Sequence, residues 1–416
     1  MNTTVLEMAR RAKMAARLLS AVNTATKNAA LTAMADALLA NAAPIKEANA
    51  TDLAAGRESG LSDTLLDRLM LNDARIQGMA EGLQQVAALP DPVGQVLSGG
   101  RLANGLEMQR VRVPLGVIGI IYESRPNVTA DAASLCLKAG NAVILRGGSE
   151  AIRSNTILAR LLAAAGERAG LPANSLQFIE TTDRDAAVAL MQAEGLVDLL
   201  IPRGGERLKK SILANATVPV LASLGGNCHT YIDADADLTI AAEIAFNAKV
   251  SRPSVCNAME TLLVHSSASE ALLPGLCARF AAAHIELRGD DRVRALFPAA
   301  LEANESDWAT EFLAPVLAIR VVDSLDEAID HIDRYGTGHS EAIVTQSYSA
   351  SERFVREVDA ACVYVNASTR FTDGSEFGMG AEVGISTAKL HARGPVGLTE
   401  LTTYKTILRG TGQIRN

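Results

Sequence analysis

The chain has 416 residues, 48% hydrophobic and 21% charged, with a single tryptophan. A chain of that length buries a large core without covalent staples, and at roughly 150 residues per domain it makes two or three domains. Its net charge of −8 argues against nucleic acid and anionic membranes as partners, while leaving room for a local basic pocket.

The longest apolar runs, such as 113–122, are about ten residues, half of the roughly 20 that a spanning helix needs, so no membrane segment is expected. Five cysteines without close pairing point to a reducing, cytoplasmic compartment. The basic start, with Arg10, Arg11, Lys13 and Arg17 among alanines, has the look of a transit peptide. Glu7, the lack of a cleavage pattern and the run into further amphipathic helix favour an ordinary cytoplasmic helix.

Residues 4–90 carry apolar side chains at three- and four-residue spacing, with Asn and Asp at the breaks, which predicts a series of helices. The pattern stops at 90–94 (PDPVG). Residues 95–113 alternate like two strands, with turns expected at Gly99-Gly100 and Asn104-Gly105, and their polar faces suggest an arm. From Gly116 the rhythm becomes strand, helix, strand: strands at 117–122, 142–145, 175–180 and 197–201, helices at 129–139, 152–169 and 186–193. Short apolar runs alternating with helices imply a parallel sheet covered on both faces. A second α/β unit is expected from Tyr231, and the threonine-rich 398–408 reads as an added edge strand.

No G-x-G-x-x-G follows the early strands, so the usual dinucleotide fingerprint is missing. Small-residue turns stand in its place: Arg146-Gly147-Gly148-Ser149, Arg203-Gly204-Gly205 and Leu224-Gly225-Gly226. Glycines at strand-to-helix turns let backbone approach phosphate. Taken singly, each is more often a plain tight turn than a cofactor contact, and three in one α/β frame bring the two readings level. An arginine near a ribose suits a 2′-phosphate, which favours NADP(H) over NAD(H).

Cys136, Cys277 and Cys362 lie in apolar patterns and read as small core residues. Cys228 adjoins His229, but adjacent residues rarely aim at one ion and no further ligand has metal-site spacing, so no metal site is expected. Cys256, in 251–260 (SRPSVCNAME), follows a proline-bearing loop and precedes a stretch that can start a helix. A helix N-terminus would lower its thiol pKa and favour the nucleophilic thiolate.

Four stretches carry a family resemblance: 113–119 (VPLGVIG), 122–128 (YESRPNV), 252–261 (RPSVCNAMET), and 389–395 (KLHARGP) onward to 401–405 (LTTYK). Over nearly its whole length the chain resembles the aldehyde dehydrogenase superfamily. The resemblance implies an α/β fold of two Rossmann-like parallel-sheet domains plus a small β oligomerisation element. It implies a cofactor-binding domain over 1–92 and 114–230, a catalytic domain over 231–365, an arm from 93–113 and 398–416, and an active-site return segment at 366–397. By the same resemblance Cys256 is the nucleophile, Asn247 is the asparagine upstream of it, and Glu311, near Leu313, stands by the nicotinamide ribose. Arg146, Gly147, Gly148, Ser149, Arg203, Gly204, Gly205, Leu224 and Gly225 are the further cofactor candidates.

One departure bears on the chemistry. Hydrolytic members carry a water-activating glutamate before Leu-Gly-Gly, where this chain has Ser223, and their oxyanion asparagine is replaced near Ser124. Serine is a poor general base, so a thioester would outlast water attack. That suits the branch of the superfamily that reduces L-glutamate 5-phosphate to the semialdehyde with NADPH. Arg125 and Arg252 are then expected at the phosphate, and Asn366, Ser368, Thr369 and Arg370 at the amino-acid end. The rival expectations are a CoA-acylating aldehyde dehydrogenase and a silent nucleotide-binding scaffold. The resemblance also implies a homo-oligomer and supply of substrate by a separate glutamate kinase, with transient association between the two as a further expectation.

Overall fold

A computed structural model describes residues 3–223 and 225–415. The chain packs as two compact units: Met1–Ala222 with Gly378–Gly384 and Val396–Asn416, and Ser223–Phe377 with Ile385–Pro395.

The first unit begins with helices α1 (Thr3–Leu19), α2 (Thr24–Ala40), α3 (Ala42–Glu58), α4 (Asp63–Leu69) and α5 (Asp73–Ala88). The polar breaks between them are N-caps: Asn23, Ser62 and Asn72 each accept a backbone N–H from the first turn that follows. In α1 the basic residues face outward, while Val5, Ala9, Ala12 and Ala16 pack into the core. Lys13 donates to both carboxylate oxygens of Asp198, at 2.6 and 2.8 Å.

Strands β1 (Val96–Arg101) and β2 (Glu107–Pro114) form the antiparallel hairpin. Its turn lies at 102–106, closed by Leu102 N–H to the Leu106 carbonyl, with Gly105 at φ +82°. Gly99 and Gly100 lie inside β1 rather than at a turn. A Cβ at Gly99 would come within 2.8 Å of the Met108 carbonyl oxygen, so close strand approach explains that glycine.

The alternating part follows: β3 (Val117–Tyr122), α6 (Val128–Lys138), β4 (Ala142–Arg146), α7 (Ile152–Arg168), β5 (Leu176–Phe178), α8 (Arg184–Met191), β6 (Leu199–Arg203) and α9 (Glu206–Asn215). Its sheet is parallel, in the order β5-β4-β3-β6. The order reverses between β3 and β6, so their carboxyl ends flank the crevice where such sheets bind ligands.

The second unit runs β7 (Cys228–Ile232), α10 (Leu238–Val250), β8 (Met259–His265), α11 (Ser266–Ala282), β9 (Glu286–Gly289), α12 (Asp291–Leu296), β10 (Leu301–Glu302), α13 (Glu305–Trp308), β11 (Val316–Val322), α14 (Leu325–Tyr335), β12 (Ser340–Val344), α15 (Tyr348–Glu357) and β13 (Cys362–Val365), then the short pair β14 (Ile385–Ser386) and β15 (Gly394–Pro395). Seven strands make one parallel sheet, β10-β9-β11-β8-β7-β12-β13. Alternate residues of β8 serve opposite cores. Leu262 and Val264 join Ala245, Leu276 and Phe280, whereas Leu263 joins Tyr231, Ile343 and Phe354. Burial on both faces erases the polar alternation of a half-exposed strand.

The last strand, β16 (Thr402–Arg409), returns to the first unit and pairs antiparallel with β2 along its whole length, from Thr402 opposite Pro114 to Arg409 opposite Glu107. All six residues of β1 are exposed. Among the described residues no helix is long and apolar enough to cross a membrane.

Candidate active site

Cys256 does not open a helix. It sits in the turn between the carboxyl end of α10 and the amino end of β8, closed by Ala258 N–H to the Val255 carbonyl at 3.1 Å. The positive helix end expected to activate this thiol is absent, because the run after Cys256 becomes the buried strand Met259–His265. The nucleophile candidate therefore occupies the amino edge of its sheet, opposite the edge that usually holds ligands in such folds.

Its loop is clamped from several elements. Cys228 on β7 donates its S–H to the Cys256 carbonyl at 3.2 Å. Thr369 donates its hydroxyl to the Asn257 carbonyl at 2.7 Å, and the Asn257 amide donates to the carbonyls of Arg370 and Thr372. Arg370 in turn donates to the Asn257 side-chain oxygen and to Ser251 Oγ. Gly226 has no room for a side chain, since a Cβ there would lie 2.0 Å from the Cys256 carbonyl oxygen. Cys256 itself is half-buried.

Two arginines meet at this loop. Burial lowers the Arg370 pKa, repulsion from Arg252 adds to the lowering, and Cys256 and Asp373 oppose it. Arg252 is exposed, and it lies close enough to Arg370 for the two charges to repel. A pair of guanidinium groups beside a thiol is the donor set that an anionic acyl substrate requires.

The other expected substrate residues divide. Ser368 is buried and caps the short 3₁₀ turn Thr369–Phe371, so it shapes the loop that carries Arg370. Asn366, at φ +54°, lies past the carboxyl end of β13, on the other edge of the sheet from Cys256. Its amide donates to the Thr345 carbonyl and accepts the Thr345 N–H, both at 2.9 Å, so it braces the end of β12 instead of offering its side chain beside the nucleophile. Asn247 is exposed on the last turn of α10, and its carbonyl accepts the Ser251 N–H.

Flanking the turn of Cys256 in sequence, Lys249 on α10 and Glu260 on β8 form an ion pair of 2.5 Å, both side chains fully buried. Burial pushes Glu260 up to about 7 against the lowering pull of Lys249, and burial lowers Lys249 in spite of Glu260. Desolvation thus outweighs pairing for both partners. The second Glu260 oxygen accepts the N–H of Leu313, itself at φ +51° in the loop of Glu311. Glu311 stands beside Gly225: a Cβ on Gly225 would be 3.5 Å from a Glu311 carboxylate oxygen. Leu224 lies outside the described residues. The Ser223 hydroxyl bonds the Gly225 carbonyl at 3.0 Å, a turn-building role with no water-activating base.

In the first unit, the turns after β4 and β6 hold the remaining candidates. Gly147 and Gly148 are buried, and Ser149 is exposed and starts a 3₁₀ turn. Arg146 donates to the Thr182 carbonyl at 3.3 Å, while its buried Nε has no partner. Burial lowers its pKa, Glu150 opposes that, and Arg184 adds to it. An unsatisfied guanidinium N–H beside a second arginine fits an anion.

At the crevice between β3 and β6, the Gly205 N–H at the start of α9 is taken by Glu123, at 2.8 Å. A Cβ at Gly204 would also collide with that carboxylate, and Arg203 lies close enough to lower the Asp131 pKa, against the larger raising effect of burial. Ser124, at φ +37°, donates its hydroxyl and its backbone N–H to Glu150, both at 2.6 Å. Arg125 is exposed beside it.

Sequence reasoning missed Glu123, the Lys249–Glu260 pair and the contact from Cys228. Only the buried pair left a local signal: a charged residue inside each of two apolar runs, around Lys249 and around Glu260.

The aldehyde dehydrogenase family profile matches residues 2–297 and 296–407. A gamma-glutamyl phosphate reductase from Moorella thermoacetica is 59% identical over 405 residues, 97% of each chain. The crystal structure of gamma-glutamyl phosphate reductase from Thermotoga maritima superposes with a TM-score of 0.98 at 46% identity, covering 99% of this chain and 100% of that one. An acetylating aldehyde dehydrogenase from Geobacillus thermoglucosidasius, 18% identical, shares the fold with a TM-score of 0.67 over 100% of this chain and 98% of that one.

Proposed function

This chain belongs to the aldehyde dehydrogenase family, and from that premise we propose that it reduces L-glutamate 5-phosphate to L-glutamate 5-semialdehyde and phosphate, a step of proline biosynthesis, with NADPH as the reductant. The observation that carries this reading is the nucleophile loop: a half-buried thiol set beside Arg252 and Arg370, with serine where a water-activating glutamate would stand.

The Cys256 thiolate attacks the acyl carbon, forming a C–S bond. The tetrahedral oxyanion collapses and expels phosphate, a good leaving group from a mixed anhydride. Arg252 and Arg370 bind the anionic groups of the substrate and offset the charge that develops as phosphate departs. Reduced nicotinamide, when bound, supplies the hydride that the thioester carbon accepts. The resulting thiohemiacetal oxyanion re-forms its carbonyl and releases Cys256 as thiolate. The Ser223 hydroxyl is tied to Gly225, so no base at that position hastens hydrolysis of the thioester.

The residues present fit a nicotinamide dinucleotide. Gly225 brings its backbone close to the Glu311 carboxylate, which suits a ribose hydroxyl pair. The unpartnered Nε of Arg146, at the carboxyl end of β4, fits the 2′-phosphate that separates NADPH from NADH. The apolar residues Val96, Leu97 and Leu408, exposed on the β1-β2-β16 arm, favour a homo-oligomer assembled through that arm. Because the acyl phosphate is labile, a glutamate kinase supplies it.

The reverse reaction tests the reading. With glutamate semialdehyde and NADP⁺, phosphate should support NADPH formation and CoA should not. Oxidation that depends on CoA, or that runs with neither, would overturn the assignment.

A further inference from the structure

Two successive carbonyls of the nucleophile turn are held by side chains from other elements. Thr369 Oγ binds the Asn257 carbonyl, and Cys228 Sγ binds the carbonyl of Cys256 itself. We propose that Cys228 is a positioning residue for the reaction, whose S–H bond fixes the Cys256 peptide so that the Cys256 sulfur faces the acyl carbon. The proposal rests on Cys256 being the nucleophile.

Three observations converge on this role. Cys228 is fully buried as the first residue of β7, directly opposite Met259, the first residue of β8, so its sulfur is placed by two paired strands and not by a loop. Its sulfur is also 3.7 Å from Nδ1 of His339, which continues through Ser340 Oγ (2.8 Å) and Thr372 Oγ1 (2.6 Å) to the Tyr364 hydroxyl (2.7 Å). That buried chain restricts where the thiol can turn. On the other side the Cys256 carbonyl packs against Gly226, where no side chain fits, so the peptide has little space to rotate away.

Burial, helped by Glu341, Cys256, Glu260 and Glu311, raises the Cys228 pKa well above the ordinary value. The proton therefore stays on this sulfur, and Cys228 remains a donor while Cys256 does the chemistry.

The test compares Cys228→Ser, which keeps a donor, with Cys228→Ala and Cys228→Val, which remove it, Val also filling the space. The readouts are kcat, KM for the acyl phosphate, and the pH profile of Cys256 alkylation by iodoacetamide. Ser should hold kcat within about twofold. Ala and Val should lose about five- to tenfold in kcat with KM unchanged, the scale of one net hydrogen bond, and should shift the alkylation profile. Ala matching Ser in kcat and alkylation would overturn the proposal, and this comparison decides even if the Val variant does not fold. Cys256→Ala is assayed alongside. Turnover surviving there would sink the nucleophile reading itself, a failure distinct from equal Ser and Ala variants at 228.

Discussion

The two parallel sheets solve different problems at opposite edges. In the first unit the candidate groups cluster at the carboxyl ends of β3, β4 and β6: Glu123 just after β3, Arg146 as the last residue of β4, and Gly205 two residues after β6. In the second unit Cys256 precedes its strand, at the amino edge, in a turn stapled by Cys228, Thr369 and Arg370. The first arrangement presents an unsatisfied guanidinium and a helix amino end whose Gly205 N–H is held by Glu123, which suits reversible capture of phosphates. The second fixes one thiol within a braced turn, which suits covalent chemistry that needs a defined line of attack. On the proposed function, one architecture supplies a binding edge and a reacting edge, and the difference lies in which strand end carries the polar groups.

The comparison breaks most readily at the reacting edge. Arg370→Met should raise KM for the acyl phosphate by roughly 10- to 100-fold, the value of one or two hydrogen bonds to a charged group. Arg370→Lys should restore only part of that, because lysine cannot make the forked contacts to Asn257 and Ser251. Unchanged initial-rate kinetics in both variants would remove Arg370 from the site.

At the binding edge, Arg146→Met should weaken NADPH by about tenfold and leave NADH unaffected, as read by fluorescence titration. Equal losses for the two nucleotides would place Arg146 away from the 2′-phosphate. A smaller change sharpens the contrast from the other side. Glu123 holds a carboxylate against the amino end of α9, where a cofactor phosphate would compete for the same N–H. Glu123→Gln should tighten NADPH by about two- to fivefold. A variant that binds more weakly would mean that Glu123 organises the crevice instead.

The subtlest effect belongs to the buried pair. Glu260 has a folded pKa raised from 4.5 to about 7, so the native state holds its proton more tightly than the unfolded chain. Its contribution is complete below about pH 4.5 and is lost as pH rises through 7. Lys249, lowered by burial, has the opposite slope, which ends at its ordinary value of 10.5. Urea titrations between pH 5 and 8 should therefore show stability falling more steeply with pH in the wild type than in Glu260→Gln. Parallel curves would remove the linkage.

Much of the binding edge was legible because it is local. A strand, a glycine turn and a helix follow one another within a few residues, as in 142–152 and 199–206. What escaped notice there came from far along the chain: Glu123 reaches Gly205 across 82 positions. At the proposed reacting edge the sequence singled out Cys256 but did not show its setting. The run after Cys256 is buried on both faces, so its apolar residues carry no period that separates strand from helix, and the expected helix end proved to be β8. Asn366 was misplaced for a related reason. Sequence proximity to Arg370 suggested one cluster, but the chain runs back along the sheet between them, and Asn366 spends its amide on Thr345 at the far edge.

All of this converges on a single sulfur. The protein should be mixed with L-glutamate 5-phosphate freshly made by a glutamate kinase, with reductant withheld, then quenched in acid and digested for peptide mass spectrometry. A glutamyl group carried by the peptide at Cys256, and discharged when NADPH is added before the quench, is the expected result. A glutamyl group on any other residue, or none on a protein that still turns over, would contradict the account.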